Sequence, residues 1–277
     1  MIRLLHIEFI KLWNNRASKA LIIAYFILLT FISLVAAIKF DIGPIKFHLA
    51  ELGIFDFPYI WHFNSFIAAF FKLFLAVVIV SMMANEYSNK TIKQNLIDGL
   101  SKWEFVYSKF LTVLALSAVS TIFLFVISFL LGLGYSSYDE ISIIFSDLEF
   151  ILGYFVKLVG FFSFCLFLGI FVKRSAFALG FLILWAIVEQ LLFGLIGWKL
   201  TSWETAGTIR SFFPLQSMSN LIDEPFTRLS AVQNLGDQIG ENFKFDYAVH
   251  WYEILIVLIW TALFIYGSYA LLKKRDL

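Results

Sequence analysis

Six stretches of this chain are long and apolar enough to cross the hydrocarbon core of a bilayer, which takes about 20 helical residues. They run from Ala20 to Ile38, Ile60 to Ala84, Val106 to Leu133, Ile151 to Val172, Ala176 to Gly197 and Glu253 to Leu272. Transmembrane strands would be about half as long and would alternate in polarity, which these Phe- and Leu-dense runs do not do. Pro44, Pro58, Pro214 and Pro225, the only prolines, all fall outside the runs, as expected where an interior proline would remove a helix hydrogen bond. Of the 277 residues, 61% are apolar and 15% charged, against about half and a quarter in soluble domains. The first run is also too long for a secretory signal, whose apolar core is roughly 7–15 residues. The sequence therefore predicts an all-α, polytopic membrane protein of six spans, forming one domain over residues 1–277. Residues 198–252, between spans five and six, make its largest piece outside the spans, expected to pack as short helices at the outer surface.

Six spans place both termini on one side. Arg3, Lys11, Arg16 and Lys19 precede span one, and Lys90, Lys93, Lys102 and Lys109 lie around the connection of spans two and three. Lys173 and Arg174 join spans four and five, and Lys273, Lys274 and Arg275 close the chain. The opposite side carries fewer bases (Lys39, Lys46, Lys199, Arg210, Arg228, Lys244), and its loop from Gly134 to Phe150 has Asp139, Glu140, Asp147 and Glu149 with no base. The positive-inside bias then makes both termini cytoplasmic. The net charge of +1 points to no nucleic acid or other polyanion.

Catalytic motifs are missing. The single cysteine, Cys165, excludes an intramolecular disulfide and a Cys-rich metal site. His6, His48, His62 and His250 are scattered without metal-ligand spacing. No glycine is followed by lysine, so a G-x-x-x-x-G-K-[ST] phosphate loop is excluded. ATP-driven work by this chain would need the nucleotide bound by another one.

Two segments on the basic side carry more information. In residues 1–17, Ile2, Leu5, Phe9, Leu12 and Trp13 recur at helical spacing opposite Arg3, Glu8, Lys11 and Asn14, which predicts an amphipathic helix in the headgroup plane with Trp13 as anchor. The same residues also fit an ordinary basic flank that orients span one. In the loop 85–105, Thr91 to Asp98 (TIKQNLID) can form about two helical turns, with Asn89 as N-cap and Gly99 as stop. Ser101-x-x-Glu104 then supplies a capping box before span three.

These residues resemble a family. The leader HIEFIKLWNNR, the segment NEYSNKTIKQNLIDGLSKWEFVYSKFL and the six-span layout are similar to the permease subunit of type-two ATP-binding-cassette (ABC-2) exporters, in the branch of bacitracin and lantibiotic immunity permeases. Glu86, Tyr87, Thr91, Ile92, Gly99, Ser101 and Lys109 fill the family pattern after span two, and Lys90 stands where the family usually has glycine. The resemblance implies a non-enzymatic permease in a bacterial plasma membrane. Two copies would form an export pathway, and separate cytoplasmic ATPase subunits, which bind the ATP and Mg, would drive it. It makes Thr91, Ile92, Gln94, Asn95, Leu96, Asp98 and Gly99 the coupling helix seated on the ATPase, flanked by Glu86, Tyr87, Ser101 and Glu104. The leader, with Glu8, Lys11, Leu12 and Trp13, becomes the connecting helix at the interface, and the outer segment holds re-entrant or gate helices.

Inside the spans lie Lys72, Lys157 and Glu189. Charges at such depth mark functional candidates, and they are the only support for a competing reading as an ion-coupled carrier; a scaffold or biogenesis subunit that transports nothing is a third reading. Spans four and five are joined by a very short turn, and counting from it places Lys157 and Glu189 within about 3 Å of the same depth at 1.5 Å per residue. The expectation is a neutralising pair between adjacent helices, with Lys72 left without a partner.

Overall fold

The computed structural model describes residues 2–37, 40–42, 45–47, 53–229, 232–233 and 245–275. Ile38 at the end of the first expected span, Lys39 and Lys244 of the opposite side, and residues 230–231 and 234–244 of the outer segment lie outside them.

A short helix, α1 (Ile2–Asn14), leads into α2 (Arg16–Ala37), which matches the first apolar run. A two-stranded antiparallel hairpin follows, β1 (Phe40–Ile42) with β2 (Ile45–Phe47), a small departure from the all-α expectation at a place where apolar residues recur at every second position. Then come α3 (Tyr59–Ser88), α4 (Thr91–Ile97), α5 (Lys102–Tyr135), α6 (Ile141–Ile144), α7 (Glu149–Val172) and α8 (Ser175–Leu195). α8 continues through a π-helical turn at Ile196–Leu200. The outer segment adds α9 (Trp203–Arg210), α10 (Pro214–Asn220) and a 3-10 turn at Phe226–Arg228, before α11 (Trp251–Lys273) closes the bundle. Five of these helical stretches are long and apolar enough to cross a membrane among the described residues: Tyr59–Ser88, Lys102–Tyr135, Ile141–Val172, Ser175–Leu200 and Trp251–Lys273.

α7 is the axis of the bundle, packed by α3, α5, α8, α10 and α11. Buried residues make up 78% of its most apolar stretch, against 11% for α8 at the edge. The sequence explains the difference: α7 is apolar on every side, as a helix surrounded by others must be. Small residues on it set the approach of its neighbours. A Cβ on Gly160 would come within 2.7 Å of Val257 on α11 and 3.3 Å of Met218 on α10. Without an aqueous driving force between spans, this closeness is what supplies dispersion contact. The buried hydroxyls of Ser108, Thr112 and Ser120 on α5 donate to carbonyls of their own helix, and Tyr25 and Tyr154 pair through their hydroxyls at 2.7 Å.

The bundle has two chemically distinct ends. One gathers α1, α4, the C-termini of α3, α7 and α11 and the N-termini of α5 and α8, and carries most of the bases; the other holds α6, α9 and α10. A second apolar cluster, built on Ile54, Phe55, Phe57, Trp61, Ile144 and Phe150, seals that acidic end, where the Trp61 indole donates to the carbonyl of Ile144 at 2.7 Å.

Candidate functional site

At the basic end, α3 stops at Ser88 and the chain turns into α4 through Lys90, whose φ of 56° lies in the left-handed region. That is the position where glycine would be unstrained. Asn89 caps the end of α3 rather than the start of α4, so the expected N-cap shifts by one residue. Gly99 stops α4 at a φ of 98°. Ser101 and Glu104 then form the expected capping box: the Ser101 hydroxyl accepts from the Glu104 N–H at 3.2 Å, and the Glu104 carboxylate accepts from the Ser101 N–H at 2.9 Å. A rigid, doubly stopped helix thus stands between two long ones.

Beneath it lies a buried ionic cluster. Lys109 on α5 is fully buried, and its ammonium donates to Glu8 of α1 at 2.6 Å and to Glu86 of α3 at 2.5 Å. Lys11 of α1 reaches the same Glu86 oxygen at 2.8 Å and Glu8 at 3.4 Å. The Thr91 hydroxyl, on the first residue of α4, donates to the other Glu86 oxygen and to the Glu86 carbonyl. Two carboxylates and two ammoniums therefore neutralise one another while joining four helices. Each buried charge would be costly alone, and only this mutual satisfaction makes the arrangement tolerable. Burial works against the Lys11 charge, yet its hydrogen bond to Glu86 and the charges of Glu8 and Glu86 outweigh that, holding its ammonium above its ordinary value.

A second set of contacts ties in the remaining helix ends. Arg275 donates to the carbonyls of Ile170 and Phe171 at the C-terminus of α7 and to the Tyr87 hydroxyl, the last at 2.9 Å. Lys102 donates to the carbonyls of Lys273 and Arg275, at 3.3 and 3.0 Å, at the end of α11. Cations at helix C-termini satisfy orphan carbonyls and suit the helix dipole. Two clefts of about 330 and 430 Å³ flank α1; the first is lined by Lys11, Asn14, Asn15, Asn85 and Glu86, the second by Arg3, Glu8, Asn95, Asp98 and Glu104.

The structure turns α4 and α1 in ways the sequence reading did not give. On α4, Ile92 is buried and Leu96 packs on the core. Asn95 is half-buried, while Lys93, Gln94, Ile97 and Asp98 face out. Ile97 is 74% exposed, an uncovered apolar side chain between charged ones. On α1, Leu12 is buried as expected, but Glu8 turns inward with it and Trp13 is exposed together with Ile7 and Ile10. The reading assigned Glu8 and Lys11 to a polar outer face; Lys11 keeps to it, while the Lys109 ammonium on α5 draws Glu8 inward. Sequence reasoning named Glu8, Lys11, Glu86, Thr91 and Lys109 separately and missed that they meet. The available signal was confined to the facing ends of spans two and three, with Glu86 just after Ala84 and Lys109 just inside Val106; Glu8 and Lys11, well ahead of Ala20, gave none.

The expected pair of Lys157 and Glu189 is not formed. Lys157 donates to the carbonyls of Ser219 and Ile222, at 3.2 and 3.4 Å, at the C-terminus of α10. Glu189 accepts from the N–H groups of Leu215 and Gln216, at 3.0 and 3.2 Å, at the N-terminus of α10, and from the Trp185 indole at 2.8 Å. Counting fixed their depth, but α10 supplies backbone partners that no count along α7 and α8 reveals. Lys72 lies with its ammonium 4.7 Å from the centre of the Phe161 ring and has no ion pair among the described residues. Nor do any three His, Cys, Asp or Glu side chains among the described residues come together as a metal site.

Comparison with known proteins is decisive at the level of family. No curated protein matches the chain. The sequence profile described as "ABC-2 family transporter protein" matches residues 8–277, a span that takes in the ionic cluster, α4 and all the long helices. The chain thus belongs to the ABC-2 family of transporter membrane proteins.

Proposed function

We propose that this chain is the permease subunit of an ABC exporter, driven by a separate cytoplasmic ATPase, with the basic end and both termini in the cytoplasm of a bacterial cell. A second permease copy completes the pathway, and the branch is that of bacitracin and lantibiotic immunity permeases, on the strength of the pattern from Glu86 to Lys109.

The observation that carries this reading is the route by which α4 is connected. Its first residue, Thr91, holds Glu86; Glu86 holds Lys109 and Lys11; Lys109 holds Glu8. A push on α4 is therefore delivered to α1, α3 and α5 together, and rigid-body displacement of packed helices is how such a push reaches the far end of a bundle. An ATPase can bias the bundle only through contacts that differ between its states, and the outward face of α4 offers Lys93, Gln94, Ile97 and Asp98 for them. Of the three charges behind the ion-coupled reading, Lys157 and Glu189 are each held by backbone groups of α10.

Affinity purification in mild detergent tests the proposal. An ATP-binding-cassette subunit should copurify with the wild-type chain and be lost with Ile97→Glu, which touches no buried contact. Purification of a folded permease without any such subunit from its native cell would refute it.

A further inference from the structure

Of the three charges inside the apolar runs, Lys72 is the one that α10 does not hold. It stands halfway along α3, about 20 Å from the Tyr59 end and about 24 Å from the Ser88 end at 1.5 Å per residue. A lysine side chain spans about 6 Å, so its ammonium cannot snorkel to either interface. On the face of α3 that turns into the bundle, Ser65, Ala68, Ala69, Leu75, Ala76 and Ile79 are all buried. By helical spacing Lys72 lies within that face, yet it is partly exposed. The bundle is therefore open to the outside at Lys72. The surroundings are apolar: the ammonium rests 4.7 Å from the centre of the buried Phe161 ring on α7, and its neighbours one turn away on α3 include Ala68, Ala69 and Ala76. The titratable groups near enough to act on it are the Cys165 thiol and Lys157, a second cation that faces Asp223 and donates to the Ser219 and Ile222 carbonyls. Among the described residues no carboxylate pairs with Lys72.

We infer that Lys72 is a binding residue for cargo, holding the acidic group of an amphipathic molecule at mid-membrane depth while its apolar body lies along α3 and α7. An ammonium open to hydrocarbon at this depth is strongly disfavoured. A cation–π contact offsets only part of the cost of desolvating it, which leaves the charge to be completed by an anion. The opening also selects the rest of the ligand. A ring face and alanines offer no hydrogen-bond partners to a sugar or a polar peptide, whereas one cation over an apolar floor matches a carboxylate or phosphate carried on a long apolar chain. Their attraction is strong because so little around them screens it. That the ligand is cargo rests on the permease reading; binding itself is measured on the purified chain without an ATPase, so the two can fail separately.

The test is photolabelling of the full-length chain in phosphatidylcholine nanodiscs by a long-chain carboxylic acid with a diazirine next to its carboxyl group. Dissolved in the bilayer, such a probe keeps its diazirine at headgroup depth; held by Lys72, it carries the diazirine to mid-depth. Adducts should fall within residues 68–76 and 157–165. Excess dodecyl phosphate should displace them and dodecyltrimethylammonium should not. They should drop at least tenfold in Lys72→Met, while Lys72→Arg keeps them. Removing a charge that has no anion in the unliganded protein should leave Lys72→Met at least as resistant to dodecyl sulfate as the wild type, so the loss of adducts is not a loss of fold. Adducts confined to the helix ends, labelling unchanged in Lys72→Met, equal displacement by the cationic amphiphile, or a Lys72→Met chain that unfolds more readily than the wild type would each overturn the inference.

Discussion

Replacing Lys109 by methionine is the sharpest perturbation of the ionic cluster. Methionine fills nearly the same volume, so the loss is electrical: Glu8 and Glu86, both almost completely buried, lose an ammonium at 2.6 and 2.5 Å. Breaking a buried pair by removing one partner costs about 3–5 kcal/mol, because the partner left behind remains buried and charged. Here two carboxylates are stranded, which raises the cost, while Lys11 stays within 2.8 Å of Glu86 and 3.4 Å of Glu8, which lowers it. The expected loss is about 3 kcal/mol, a factor of roughly 150 in the folded population at 1.4 kcal/mol per decade. Adding Glu86→Gln to Lys109→Met leaves Glu8 with Lys11 and no stranded charge, so the double variant should be more stable than Lys109→Met alone. Unfolding in mixed micelles, followed by tryptophan fluorescence over increasing dodecyl sulfate, gives all four corners of the cycle. Additive losses, or a Lys109→Met cost below about 1 kcal/mol, would show that the cluster is not a coupled unit.

Lys11→Met should cost about 1 kcal/mol or less, since its side chain is 39% exposed and such pairs are screened. Its folded pKa is raised from the ordinary 10.5, so its contribution is complete below that value and fades only as pH rises through the higher folded value; the loss on substitution should be equal at pH 6 and pH 8, and a loss confined to one of them would contradict the assignment. Lys90→Gly should stabilise the chain by about 1 kcal/mol by relieving a left-handed residue, without loss of the ATPase partner; destabilisation in the same micelle assay would mean that the Lys90 side chain matters more than its backbone. Gly160→Ala should destabilise by about 1–3 kcal/mol through overpacking against Val257, with Val257→Ala recovering most of it, and failure of that rescue would place the strain elsewhere.

Much of the fold was legible because it follows from local composition. The run Ile60 to Ala84 became α3, Val106 to Leu133 became α5, and the Ser101–Glu104 box formed where it was read. Apolar length, proline exclusion and capping are properties of a few consecutive residues. The departure at Lys90 was visible as a missing glycine, and its left-handed φ gives the reason glycine is usual there. What could not be read was azimuth. Which way Glu8, Leu96 or Asn95 points depends on partners tens of residues away, and an amphipathic pattern does not distinguish a water-facing polar stripe from one buried against opposite charges. Lys157 and Glu189 show the same limit: their common depth came from counting, but their partners are backbone atoms of α10, which no pattern of charged side chains discloses.

The central claim is that α4 is where an ATPase takes hold of this bundle. Photo-crosslinking from a benzoyl-phenylalanine at position 97, in intact cells of the native host, tests it most directly, because Ile97 is the exposed apolar tip of α4. The adduct from Ile97 should contain a nucleotide-binding subunit with its own phosphate loop, and the same probe at Leu152, exposed near the other end of the bundle, should give none. An Ile97 probe that captures only lipid or other membrane proteins, or a Leu152 probe that captures the same ATPase, would contradict the account.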